Sequence, residues 1–320
     1  MAIRQRLTWP HLFHNSIFGT SSGFSNQNLN FNSQHFFLRP VEIFHAAITV
    51  GKPSTLEFEN TLGNDFGLAD AISRIYMLKA QVNFGNCCDH LKYSSLFNQS
   101  DPTEKAQINY HLGMIFTKVF ADRILQIPWL AHYSWMSNSG DAQVHSGRST
   151  PDLLGFSIHT GRWNSFEAKG RNSKYNPDVI ENAKIQASRW VKVLGSSCDL
   201  KIGAGLFRGK DGAFEFYWDD PAGDLGEEPI FLEPNPRVWR NYYRAALALA
   251  EIDTPISGIR VKLSPILRDY IYQMMDNMEW PRTEKVLLEI FKDSLARRES
   301  IKSDSNVFVG LDGIDIIANE

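Results

Sequence analysis

At 320 residues the chain can bury a large hydrophobic core without disulfides. Apolar and charged fractions of 43% and 22% exclude a disordered or fibrous protein. The formal net charge of -3 excludes a surface coated in basic residues, so any contact with nucleic acid must be local.

Cys87, Cys88 and Cys198 are odd in number with two adjacent, which suits reduced thiols better than a disulfide framework. The N-terminus, MAIRQRLTWPHLFHN, lacks a continuous apolar stretch, and no run of about 18 apolar residues occurs. The expectation is a soluble, cytoplasmic protein without a membrane partner.

Residues 15–37 are rich in Asn, Ser, Gln, Gly and Phe, a composition that predicts an irregular loop. A strand is expected at 41–50, then a helix from Leu56 through LADAISRIYMLKAQ. Asp101, Pro102 and Thr103 open a second helix whose stripe is Ile108, Leu112, Ile115 and Val119, ending before Pro128. Strands follow near 143–147, 152–159 and 163–169, the last two joined through Thr160 and Gly161.

Asn176 and Pro177 begin another helix, with Ile180, Ala183, Ala187, Val191 and Leu194 along one face and Gly195 stopping it. Strands at 200–208 and 213–218 flank a turn at 209–212. A Pro/Gly/Glu-rich connection spans 219–236. Helices near 238–251, 265–278 and 283–298 then precede a terminal strand, VFVGLDGIDIIA. The division expected is an N-terminal helical and irregular region at 1–100, an α/β core at 101–221 and a mainly helical region at 222–320.

The segment PDLLGFSIHTGRWNSFEAKGR carries the chemistry. If Thr160 and Gly161 form a two-residue turn, His159 pairs with Arg162, Leu154 with Glu167 and Asp152 with Lys169. Paired residues share a face, so Asp152, Glu167 and Lys169 project together while Phe166 and Ala168 point away. Two carboxylates beside a lysine repel one another and are costly to bury, yet they suit a hard divalent cation such as Mg²⁺ or Mn²⁺. The Ala168 carbonyl can supply a further oxygen. Lys169 can orient or help deprotonate an attacking water and offset phosphate charge. The competing reading is a solvated hairpin with an Asp152–Lys169 ion pair.

Pro151-Asp152 followed by Glu167-Ala168-Lys169, in an order of helix, three strands, helix and strands, resembles the PD-(D/E)XK nuclease superfamily over residues 101–218. The resemblance implies a restriction-endonuclease-like mixed sheet flanked by helices, with helical and irregular additions at both ends. It also implies metal-dependent hydrolysis of DNA phosphodiesters, with Asp152 and Glu167 as metal ligands and Lys169 as the catalytic lysine. Gln186 and Trp190, four apart on one expected helix, resemble the QxxxY element of the exonuclease-like branch, with Trp in place of Tyr. A role in prokaryotic defence against foreign DNA, with a protein partner or as a homo-oligomer, is a family-level analogy. A subunit that keeps the fold and binds nucleic acid without catalysis is the alternative.

A second match to the written pattern, Pro177-Asp178 with Asp199-Leu200-Lys201, is a decoy, because a carboxylate in the first turn of a helix is explained by the helix dipole. Asp122, with Lys118 one turn earlier, can act as an upstream acid or as a surface salt-bridge residue. Asp141 and His145 lie just upstream of the hairpin. Between 160 and 210 ten basic residues face four acidic ones, an excess of six. Arg171, Lys174, Lys184, Arg189 and Lys192 are therefore the expected DNA contacts. No GxxxxGK loop exists, so no nucleotide cofactor is implied.

Overall fold

A computed structural model describes residues 15–24, 27–50, 56–85, 89–139, 141–143, 150–220, 225–234, 238–252, 254–276, 278–301 and 306–318. Its centre is a seven-stranded mixed sheet. The strands are β1 Asn15–Ser22, β2 Phe31–Leu38, β3 Trp129–His132, β4 Leu153–Ser157, β5 Arg162–Gly170, β6 Lys201–Arg208 and β7 Phe214–Asp219. Their order across the sheet is β2-β1-β7-β6-β5-β4-β3. The pairs β1/β7 and β5/β6 are parallel and the others antiparallel.

β1 and β2 replace the loop expected at 15–37, and the sheet thereby crosses the boundary expected at residue 101. Ile17 and Leu38 are fully buried, so three or four inward apolar residues outweigh the turn-forming composition around them. The strand expected at 41–50 is instead the helix α1, Pro40–Thr49. Pro40 occupies its first turn, and Glu42 reaches back to accept the Arg39 amide at 3.3 Å. Every residue of this helix except Glu42 is buried, and a helix apolar all round shows no stripe in the sequence.

Helix α2, Leu56–Gln81, and helix α3, Pro102–Leu125, form where expected. The Asp101 carboxylate caps α3, accepting the amides of Thr103 and Glu104 at 2.7 and 2.9 Å. Of the strand expected near 143–147, Asp141–Gln143 is a strand of a smaller sheet, and residues 144–149 lie outside the described residues.

Helix α4, Pro177–Ala187, is shorter than its apolar spacing suggested. The Ser188 hydroxyl donates to the Lys184 carbonyl at 2.6 Å, and Ser165 on β5 donates to the Ala187 carbonyl at 2.7 Å. These bonds close the helix, and Arg189–Val193 continues as a strand beside Leu225–Glu233. The latter strand lies inside the connection expected at 219–236. Helices α5 Val238–Ala250, α6 Pro265–Asp276 and α7 Trp280–Ser300 match expectation within a few residues. The expected terminal strand is a hairpin, Val307–Val309 with Ile314–Ala318, and Ile259–Leu263 pairs along its other edge. Among the described residues no helix is long and apolar enough to cross a membrane.

Helices cover both faces of the sheet, and glycines set how closely. A Cβ on Gly113 of α3 would lie 2.8 Å from the Gly170 amide nitrogen, and one on Gly170 would lie 1.7 Å from the Asn109 carbonyl oxygen. On the opposite face, α4 presses on β6, where a Cβ on Gly203 would lie 2.6 Å from the Lys184 amide. The other end of α3 meets the C-terminal segment around a buried charge. Asp312 accepts the Tyr242 hydroxyl at 2.6 Å, pairs with His45 at 2.9 Å and lies 3.7 Å from Lys118, whose ammonium donates to Tyr242 at 2.7 Å.

The Gly170→Ala substitution is expected to destabilise the fold by about 1–3 kcal/mol, because the backbone of α3 leaves no room for a methyl group. Urea unfolding of the two proteins measures the difference.

Candidate active site

The hairpin β4/β5 positions three of the expected residues. Ser157 pairs with Arg162, Leu154 with Ser165 and Leu153 with Phe166, so the connecting loop is the four residues 158–161. This corrects the pairing of His159 with Arg162 across a two-residue turn. Gly161 takes a φ of +65°, and its amide donates to the Ser157 carbonyl at 2.9 Å. The register is displaced by two residues, an even number, so no side chain changes face. Continuing the ladder sets Asp152 opposite Glu167 instead of Lys169.

The hydrogen bonds agree with that register. The Asp152 amide donates to Glu167 Oε2 at 3.1 Å, the Ala168 amide donates to Asp152 Oδ2 at 3.0 Å, and Lys169 Nζ donates to Glu167 Oε1. In an extended strand the N–H and C=O of one residue point the same way, so the Ala168 carbonyl faces the Asp152 side as its amide does.

Glu167 is only 3% exposed. Burial first, and the neighbouring Asp152 second, push its carboxyl up to about 7, against the pull of Lys169. Asp152 is also raised by burial, opposed by the Ala168 amide and by Lys169. Two adjacent, largely buried carboxylates share one lysine, which leaves their doubly charged form undercompensated. A divalent cation would meet that deficit, and Mg²⁺ commonly takes one or two carboxylates while water and phosphate fill its other positions. The donor set therefore fits such an ion. Among the described residues no group of three or more His, Cys, Asp or Glu side chains forms a ready ligand cluster, and the oxygens that meet here are those of the two carboxylates and the Ala168 carbonyl.

Three residues missed in the sequence are linked electrostatically to the pair or to one another. Tyr110 of α3 is half-buried, and burial, with Asp152 and Glu167 adding to it against Arg74, pushes its hydroxyl up to about 12. His132 of β3 adjoins the site, since it pairs with Leu153 and the next amide, Tyr133, donates to the Asp152 carbonyl at 2.9 Å. Arg74 of α2 is buried, donating to the carbonyls of Ala47 and Val50 at 2.9 and 2.7 Å and pairing with Asp70 at 2.9 Å. No short motif links these positions; only the packing of α2, α3 and β3 unites them.

Comparison with protein-family models, curated proteins and solved structures finds no match. The site therefore stands on its own geometry.

The other expected residues are dispersed. Gln186 is half-buried in the last turn of α4, but Trp190 belongs to the strand after it, so the two do not share a helix face. Asp122 is not a surface residue: it is buried and pairs with Arg298 at 3.3 Å. Twelve residues of α3 separate it from Tyr110, about 18 Å along the axis, which removes it from the carboxylate pair. Lys118 beside it is fully buried. Asp141 lies in the smaller sheet, opposite Glu233, and His145 is outside the described residues.

Arg171 and Lys174 are exposed in the segment leaving β5. Lys184 on α4 is ion-paired with Glu181 and Asp219 at 3.1 and 3.2 Å. Arg189 and Lys192 lie on the following strand and not on that helix, Lys192 standing 5.6 Å from the centre of the Phe231 ring. The decoy falls apart as well. Ile180 sits over Gly205 and Ala183 over Gly203, so α4 runs against β6 and carries Asp178 to the end of β6 opposite Lys201.

His132 gives a pH signature. Burial first, and Arg74 second, lower it from 6.5 to about 4. The unfolded chain then binds a proton at His132 that the folded chain refuses, so the contribution of this residue to stability is lost as pH drops from 6.5 towards 4, opposing Glu167, whose raised carboxyl favours the folded state as pH falls below about 7. Denaturant midpoints measured across that range should fall less, or rise more, towards low pH in His132→Gln than in the native protein.

Proposed function

We propose that this chain is a metal-dependent nuclease with a restriction-endonuclease-like core of the PD-(D/E)XK type, hydrolysing DNA phosphodiesters with Mg²⁺ or Mn²⁺. The observation that carries the reading is the meeting of Asp152, Glu167 and Lys169 on one face of the sheet, with both carboxyls raised by burial. Support also comes from the mixed sheet with helices on both faces and from the chain order of α3, β3, β4, β5, α4 and β6 among these elements.

Asp152 and Glu167, with the Ala168 carbonyl, would hold the ion. Bound there, it supplies Lewis-acid stabilisation of charge on the phosphate and a lowered pKa for water. The chain's own residues do the rest. Among the described residues Lys169 is the only cation bonded to the pair, and on binding of substrate its ammonium is available to offset phosphate charge and orient the attacking water. Tyr110 keeps its proton at neutral pH, so its hydroxyl can donate to a phosphate oxygen. Exposed Arg171 and Lys174 supply backbone affinity without reading sequence.

Incubation with circular and linear DNA in Mg²⁺, Mn²⁺ or EDTA tests the activity, and undiminished cleavage in EDTA would falsify the metal dependence. Mn²⁺ should raise the melting temperature of the native protein and not that of Asp152→Ala, because ligand binding to the folded state alone stabilises it. The Lys169→Ala protein should cleave about 100-fold or more slowly in single turnover while keeping most of its DNA affinity. A near-normal rate would remove Lys169 from catalysis.

A further inference from the structure

Six residues beyond Lys169 the ring of Tyr175 stands at the surface, 42% exposed. It stacks on Tyr217 with centroids 4.0 Å apart and planes 25° from parallel, and it meets the edge of the buried Phe207 with centroids 5.4 Å apart. The sheet register locates this aromatic group. Tyr217 on β7 pairs with Gly205 on β6, and Gly205 pairs with Lys169 on β5. Directly paired residues share a face, so Tyr217 lies on the face of Lys169, two strand spacings or about 10 Å away.

Gly205 contributes no side chain between them, and α4 passes over β6 from its start at Pro177. Residues 171–176 therefore lead from the carboxylates around the first turn of α4 to the tyrosine pair, with Arg171 and Lys174 exposed along the way. The Tyr217 hydroxyl donates to Glu215 at 3.0 Å, which holds the bracing ring in place. An exposed aromatic ring, fixed in orientation by a second ring and carried on a segment with two exposed cations, matches the parts that hold single-stranded nucleic acid: a flat surface for a base and positive charge for the backbone.

We propose that Tyr175, braced by Tyr217, is a stacking platform for the base of an unpaired nucleotide, so that the site prefers single-stranded DNA or a frayed end over continuous duplex. In a duplex each base face is covered by its neighbours, and Tyr175 has nothing to stack on. At about 3.4 Å or more of strand per nucleotide, the roughly 10 Å between Lys169 and Tyr217, on which Tyr175 stacks, spans no more than about three nucleotides. This inference rests on the nuclease reading for the position of that phosphate.

Binding is measured in EDTA, where cleavage does not intervene, with a single-stranded oligonucleotide and a blunt duplex of the same sequence. Tyr175→Ala should lower the ratio of single-strand to duplex affinity about tenfold, and Tyr175→Phe should keep the native ratio. An abasic position moved along the strand should weaken binding to the native protein about tenfold at one site and cost nothing further in Tyr175→Ala, as expected of a shared interaction. An unchanged ratio, or the same abasic penalty in both proteins, would overturn the platform. A parallel cleavage assay with Mg²⁺ separates the two readings. Cleavage with a Tyr175-independent ratio overturns the platform alone. A Tyr175-dependent ratio without cleavage supports the platform and overturns the nuclease reading.

Discussion

The approach of α3 to the end of β5 is the contact on which the arrangement of the molecule turns. At Gly113 and Gly170 the helix and the strand meet backbone to backbone, with the Asn109 carbonyl occupying the space of a side chain at Gly170. That contact sits beside Lys169 and brings Tyr110 alongside Asp152 and Glu167. One helix thus braces, at its N-terminal half, the strand that carries Glu167 and Lys169. At its C-terminal half, Lys118 and Asp122 reach the segment that carries Asp312 and Arg298. Movement of α3 would be felt at both places.

The chain buries carboxylates in two ways. Burial raises Asp312, but His45 and Lys118 pull harder and hold it well below the usual carboxylate range, with Tyr242 donating to it as well. That charge is answered from within. Asp152 and Glu167 have one lysine between them, and Glu167 remains pushed up to about 7. A pair left in this condition accepts a cation or a proton more readily than a surface pair would. The contrast gives the proposed metal a physical basis that the motif alone lacks, since three letters in a sequence say nothing of burial.

Much of the frame is legible in the sequence, and the failures have physical causes. Asp101 and Asn176 announce helices because their side chains cap specific amides, a local event. The sharing of a face by Asp152, Glu167 and Lys169 survived an incorrect turn because strand faces repeat every two residues and the register moved by two. Helix α1 was obscured by being buried on every side. The end of α4 was obscured because Val191 and Leu194 continue its spacing by coincidence, whereas Ser188 and Ser165 close it through tertiary bonds. Tyr110 and His132 come near the hairpin, and Arg74 near them, by packing between elements far apart in sequence, which no window of residues displays.

The sequence separations in the buried charge cluster bear on how the chain reaches its native state. His45 and Asp312 bond across 267 positions, and Tyr242 and Asp312 across 70. Closing loops of that length is slow compared with forming a hairpin such as β4/β5, whose two strands are joined by four residues. Without Asp312, Lys118 would stand in the interior lacking that carboxylate, where residues of α1, α3 and α5 meet. The last segment described thus acts as a latch: one carboxylate near the end of the chain ties together three helices whose residues lie 70 to 267 positions before it.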